Sequence, residues 1–206
     1  MRPLTTQAQL ALDAETVAPR DFISIFAKRR DNGQIIVDSY WSDEGTITAE
    51  VIDPLTGSVV TRTYQGGGAM IQTSAVPLVV GLIVQNVTAQ FSQVDDRIQQ
   101  LLRTYDARQA RVELHRGMLD PRSGLLVSPA TPRFSGFVDE LEVPTAKQGE
   151  DADITATFNS HTQETTRSNP ATRSDAEQRL RSATDGFFQH VATIGEQNIF
   201  WGQESA

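Results

Sequence analysis

The residues of this chain best suited to chemistry are three histidines, His115, His161 and His190, together with several groups of carboxylates. A histidine metal site draws its ligands from characteristic spacings such as H-x-x-x-H or H-E-x-x-H. The three histidines match neither, and no calcium-loop pattern occurs. His190 has Asp185 and Ser182 before it, the residue types of a hydrolase triad, but all three fall within nine residues. Triads assemble such groups from separate parts of a fold, and no G-x-S-x-G elbow is present. Gly66, Gly67 and Gly68 lack the following G-K-[ST] of a phosphate cradle. The carboxylates at Asp95 and Asp96 suit a helix start. Those at Asp139, Glu140 and Glu142 and at Glu150, Asp151 and Asp153 flank a turn and read as solvated faces. Asn86-Val87-Thr88 fits a glycosylation acceptor but lies in an expected buried strand. The sequence therefore predicts no catalytic residue, no metal site and no cofactor.

Composition narrows the class. The chain has 206 residues, 38% hydrophobic and 21% charged, in the range of folded globular proteins. With 26 acidic and 18 basic residues the net charge is −8, which argues against a surface built to neutralise phosphates. Only Lys28 and Lys147 are lysines, and cysteine is absent, so disulfides, thiolate chemistry and iron–sulfur ligation are excluded. The longest apolar run, residues 75–84, is too short to span a bilayer and contains Pro77. The reading is of a protein made in the cytoplasm that has no membrane partner.

The elements that must position any site are mostly strands. "DFISIFAKRR" and "QIIVDSYW" flank the turn Asp31-Asn32-Gly33 and predict a hairpin. "TITAEVID" and "SVVTRTY" flank a second turn at residues 53–57. A long strand is predicted through residues 78–93, with Ile83, Val87, Ala89 and Phe91 on one face. The period then changes: Val94, Ile98, Leu101, Leu102 and Tyr105 form one helical stripe. In "ARVELHRG", Ala110, Val112 and Leu114 are expected inward and Arg111, Glu113 and His115 outward, which makes His115 a surface histidine. "PRFSGFVDELEV" and "DADITATFNS" form a last hairpin, with a bulge expected at Gly136 and with Ile154, Ala156 and Phe158 buried. Residues 161–186 are polar and suit an arm. After N-caps at Ser182 or Thr184, Phe187, Phe188, Val191 and Ile194 are expected as the buried stripe of a short helix. This pattern predicts a mainly β fold, a sandwich or barrel with a flanking α-helix and a short C-terminal helix. Residues 1–160 are expected as the β region, either as one domain or as two subdomains, and 161–206 as arm, helix and anchor.

The run "YDARQARVELHRGMLDPRSGLLVSPATPRFSGFVDELEV" resembles the core of phage tail-tip and baseplate hub proteins, at Tyr105, Asp106, Val112, Leu114, Arg116, Gly117, Phe134, Ser135, Gly136 and Asp139. "RSDAEQRLRSATDGFFQHVATIGEQNIFWG" is similar to the C-terminal signature of that family, at Arg173, Ser174, Asp175, Gln178, Arg179, Asp185, Gly186, Phe187, Ile199, Trp201 and Gly202. The family includes the phage lambda tail-tip protein L and the hubs of gene transfer agents. Some members carry a cysteine set for an iron–sulfur cluster, which this cysteine-free chain does not share.

The resemblance implies a tail-tube-like β-sandwich or barrel at the virion tail tip, assembled as a ring, trimeric in such hubs, around a DNA channel. The implied partners are further copies, the distal tail protein or tail tube, a tip or fibre protein, and DNA passing without specific binding. Arg173, Asp175, Gln178, Arg181, Phe200 and Trp201 are the expected partner-contact residues. The competing readings are a distal tail protein in a hexameric ring and a carbohydrate-binding sandwich that stacks sugars on Trp41 or Trp201.

Overall fold

The computed structural model describes residues 6–13, 17–77, 79, 83–145, 153–166, 172–193 and 195. The chain forms two compact units, Met1–Thr165 and Thr166–Ala206. The first unit runs α1 (Thr6–Asp13), β1 (Ala18–Arg29), β2 (Ile35–Trp41), β3 (Thr46–Ile52), β4 (Val59–Gln65), β5 (Met70–Thr73), β6 (Asn86–Ser92), α2 (Asp96–Arg103), β7 (Tyr105–Leu119), β8 (Thr131–Glu142) and β9 (Asp153–Ser160). A short α3 (Gln163–Thr166) follows, and the second unit holds α4 (Asp175–Arg181).

The nine strands form one mixed sheet in the order β3-β4-β2-β1-β7-β8-β9-β6-β5. The β1–β2 and β3–β4 hairpins form as the turn residues require. Gly33 and Gly57 adopt φ of 70° at the two turns, a region that glycine enters without steric cost. The edge strand β3 does not stay free. Ile52 N–H donates to the Ala130 carbonyl and Ala130 N–H to the Glu50 carbonyl, a parallel bridge just ahead of β8. This contact closes the first six strands of the order into a small barrel.

Both faces of β1 and β7 are consequently buried, each in its own core. Phe22, Trp41, Ala49, Val51, Tyr64, Leu119 and Ala130 fill the barrel. There Phe22 stacks on Trp41 and meets Tyr64 edge-on at 5.0 Å. Ile23, Ile25 and Ala27, the residues alternating with Phe22 and Ser24, face the other way. That second core adds Val112 and Leu114 of β7, Phe91 of β6, Ile154 and Phe158 of β9, and Ile98 and Leu101 of α2. The Asp95 side chain caps α2 by accepting from the Arg97 N–H. The Arg97 guanidinium reaches Gln65 Oε1 and the Gly66 carbonyl, tying the helix start to the end of β4.

Four expectations change. Of the strand expected through residues 78–93, the described strand residues are β6, Asn86–Ser92. Ile83 precedes it and is exposed, because pairing with β9 begins only at Asn86. Val94 lies before the cap of α2 and is 89% exposed, so the buried stripe starts at Ile98. Gly136 is not a bulge: Phe134, Gly136 and Val138 alternate inward without a break, and β8 shifts register on either side of them. What Gly136 supplies is closeness, since a Cβ there would stand 2.0 Å from the Asn159 carbonyl oxygen. In the second unit the helix lies before Ser182, not after it; Ser174 is the N-cap and Ser182 the C-cap. Residues 184–193 make turns instead, and Phe187 is 79% exposed, with Val191 exposed as well. Asp185 accepts from the Phe187 N–H in a local turn that competes with helix. Ile194 lies outside the described residues.

Gly136→Ala is expected to destabilise the first unit by about 2 kcal/mol, because the clashing atom is backbone and β8 and β9 must separate to admit a methyl group. Denaturant unfolding followed by circular dichroism measures this, and an unchanged midpoint would contradict it.

Candidate assembly surface and the ionic cluster beneath it

The most heavily charged buried feature lies at one end of the barrel. Glu113 and His115 are both 0% exposed. They point into the barrel, not outward as strand alternation suggests, because the β3–β4 hairpin covers that face of β7. Glu113 accepts a hydrogen bond from Nη1 of Arg62 at 2.6 Å and forms an ion pair with Nη2 of Arg111 at 2.5 Å. Arg62 comes from β4, and its other nitrogen lies 3.8 Å from Asp53. The Phe26 ring sits beneath both guanidinium groups, at 4.1 Å from Arg111 and 5.1 Å from Arg62. His115 Nε2–H donates to the Ile52 carbonyl at 2.9 Å, and Nδ1 has no hydrogen-bond partner among the described residues. Burial pushes the His115 pKa down to about 4, partly offset by the bond to Ile52, so the ring is neutral near pH 7.

Beside this cluster the barrel wall is incomplete. β2 and β4 pair in parallel only through Tyr40 and Gln65. Among the described residues, Ile35–Ser39 have no strand on their outer edge. Ile35 and Val37 are 59% and 47% exposed there. A cleft of about 520 Å³ opens next to Ile35, its lining including Phe26, Lys28, Asp106, Arg108, Arg111 and Phe137. Its shape follows from a break in β1–β7 pairing. From Phe26 to Lys28 is a step of two residues, whereas the facing step from Arg111 to Asp106 is five. The extra residues of β7 arch outward, and Gln109 takes φ of 54°, in the left-handed region.

The expected partner-contact residues fall into two groups. Arg173, Asp175, Gln178 and Arg181 lie on or beside α4 in the second unit, where Arg173 and Arg181 are exposed. Asp175 pairs with Arg179 at 2.7 Å, and Gln178 donates to Asp185 at 2.5 Å, so these side chains serve the local fold. Leu180, Phe187 and Val191 are the exposed apolar residues of that unit among those described. Phe200 and Trp201 lie outside the described residues. His190 contacts Gln189, and neither Asp185 nor Ser182 bonds to its ring among the described residues. Trp41 is buried and donates its indole N–H to the Gly45 carbonyl, which removes it as a sugar platform. Sequence reading missed the β2 edge and its cleft. The one signal was "QII" beside the only dense cationic run, Lys28-Arg29-Arg30.

No protein-family model matches this sequence, and neither does any curated protein. Solved structures do match it. One is a chain of the native gene transfer agent virion, with a TM-score of 0.51 and 16% identity. The match covers 84% of the present chain and 50% of the virion chain. The chain thus spans about half the length of this structural neighbour, and at this identity the likeness is one of fold.

Two outcomes are expected from the ionic cluster. Glu113→Ala leaves two guanidinium groups facing each other in a buried site and should cost about 3–5 kcal/mol in denaturant unfolding. Arg62→Met and Arg111→Met together with Glu113→Leu should cost much less, since none of the three charges is then left without its partner. The second outcome concerns pH. Unfolded His115 binds its proton near pH 6.5 and the folded ring only near 4. Its contribution is therefore complete above pH 6.5, and roughly 3 kcal/mol of stability is lost between pH 6.5 and 4. In His115→Gln that loss should be absent from the pH dependence of the unfolding free energy.

Proposed function

We propose that this chain is a structural hub component at the tail tip of a phage-like particle. In this reading it forms a ring, trimeric as in the hubs it resembles, that joins the tail tube to the receptor-binding tip and continues the DNA channel. The observation that carries the reading is the fold that 84% of the present chain shares with half of a chain of a gene transfer agent virion. The loose motif over residues 105–143 adds support, because it falls on β7, which serves both cores, and on β8, which adds Phe134 and Val138 to the second.

The chemistry of the molecule suits this role. Exposed Leu180, Phe187 and Val191 and the apolar edge of β2 offer surface to neighbours. Phe200 and Trp201 are proposed as further anchors, as are Arg173 and Arg181. A net charge of −8 suits a channel along which DNA slides without adhering. The channel itself is a proposal, as are the tube and tip partners.

Native mass spectrometry of the assembled ring is expected to give three copies; six would favour a distal tail ring instead. Carboxylates found to line the channel, replaced by lysine, should slow DNA ejection from purified particles. Ejection at the unaltered rate would remove the electrostatic part of the proposal.

A further inference from the structure

Among the described residues, open strand edges remain at β3, at β5, on the outer side of β2 and on the side of β4 that faces it, and the first two are protected. β3 is covered at its end by Ala130, and its neighbouring residues Thr46, Thr48 and Glu50 are polar. β5 is only four residues long. Natural sheets blunt an open edge with such devices, or with lysine, proline or a bulge. The outer edge of β2 is longer and carries no lysine, proline or bulge, and Asp38 is its one charged residue. It presents Ile35, Ile36 and Val37 in regular extended backbone, unpaired by any described strand.

The surroundings of this edge carry a sign. Arg29 is paired with Asp31, Arg30 bonds the Tyr105 carbonyl, and Arg111 is held by Glu113. Lys28 and Arg108, which line the cleft beside Ile35, make no ion pair among the described residues. Asp106 offsets one of these charges and accepts from the Arg108 backbone N–H. The cleft therefore keeps an excess of positive charge next to an apolar, hydrogen-bonding edge, on a chain whose overall charge is strongly negative.

We propose that the outer edge of β2 receives an extended segment from a different subunit of the particle. The segment adds as a strand beside Ile35–Ser39. It sets aliphatic or aromatic side chains on Ile35, Val37 and Phe26 and brings carboxylates to Lys28 and Arg108. Strand addition satisfies the open backbone groups, and alternate side chains supply selectivity. A second copy pairing through the same edge would bring Lys28 and Arg108 toward their own counterparts, which like-charge repulsion disfavours. The proposal rests on the assembly reading above and names the surface and partner chemistry that assembly requires.

The test uses particles made by the organism that encodes the chain. Lys28→Glu with Arg108→Glu changes two exposed side chains, so the melting temperature should stay within a few degrees of the parent. Copies of the variant per purified particle should fall at least about tenfold. p-Benzoylphenylalanine at position 37 should cross-link to an acidic, alternately apolar segment of another subunit. Reversing the charge of that segment should restore incorporation of the double variant. If the parent chain is missing from particles, the assembly reading fails and this proposal with it. If the parent is present and the variant incorporates equally, the proposal alone is overturned. A cross-link to a second copy of this chain also overturns it.

Discussion

The architecture of the first unit turns on the carboxylate of Glu113, held between the guanidinium groups of Arg62 and Arg111. A fully buried charge is costly unless it is paired and hydrogen-bonded. Arg62 reaches it from β4, so the β3–β4 hairpin must lie across β7 for the pair to exist. With the hairpin there, Tyr64 closes over Phe22, its hydroxyl reaches Ser24, and Ala130 meets Val51. The apolar barrel core and the bridge that closes the barrel are thus consistent with one electrostatic contact. His115 belongs to the same arrangement, because its hydrogen bond to Ile52 joins β7 to the end of β3.

The local elements were legible where turn chemistry and periodicity agreed. Asp31-Asn32-Gly33 and residues 53–57 mark hairpins that form, and Ile98 and Leu101 sit where the helical stripe places them. The mainly β class followed from these. The two-sided burial of β7 was not legible. Arg111, Glu113 and His115 are the residue types that normally face water, and only pairing between distant strands brings Arg62 to them. Gly136 was visible as an exception in its strand, but alternation cannot distinguish a bulge from a close backbone approach. In the second unit, "SDAEQRLR" carries a cap and an i,i+4 ion pair that mark a helix. The aromatics that follow drew the prediction downstream, yet a local turn at Asp185 holds them in other geometry.

The candidate surface shows a similar division. Charged residues near α4 were identified from resemblance, and the fold uses several of them for its own contacts. The edge of β2 carries no motif, since an open edge is a property of what fails to pair, and pairing is long-range. The likeness to a virion chain concerns the course of the backbone, which is why it coexists with 16% identity. Cores of this kind tolerate wide substitution so long as volume and alternation persist.

β1 and β7 run twelve and fifteen residues and contribute alternate side chains to both cores. Neither core therefore has a wall of its own. Opening one exposes the back of the strands that shape the other, so the two should be lost in a single transition despite their separate side chains. For amide exchange, this makes the centres of β1 and β7 the slowest sites of the first unit, opening only with the whole unit.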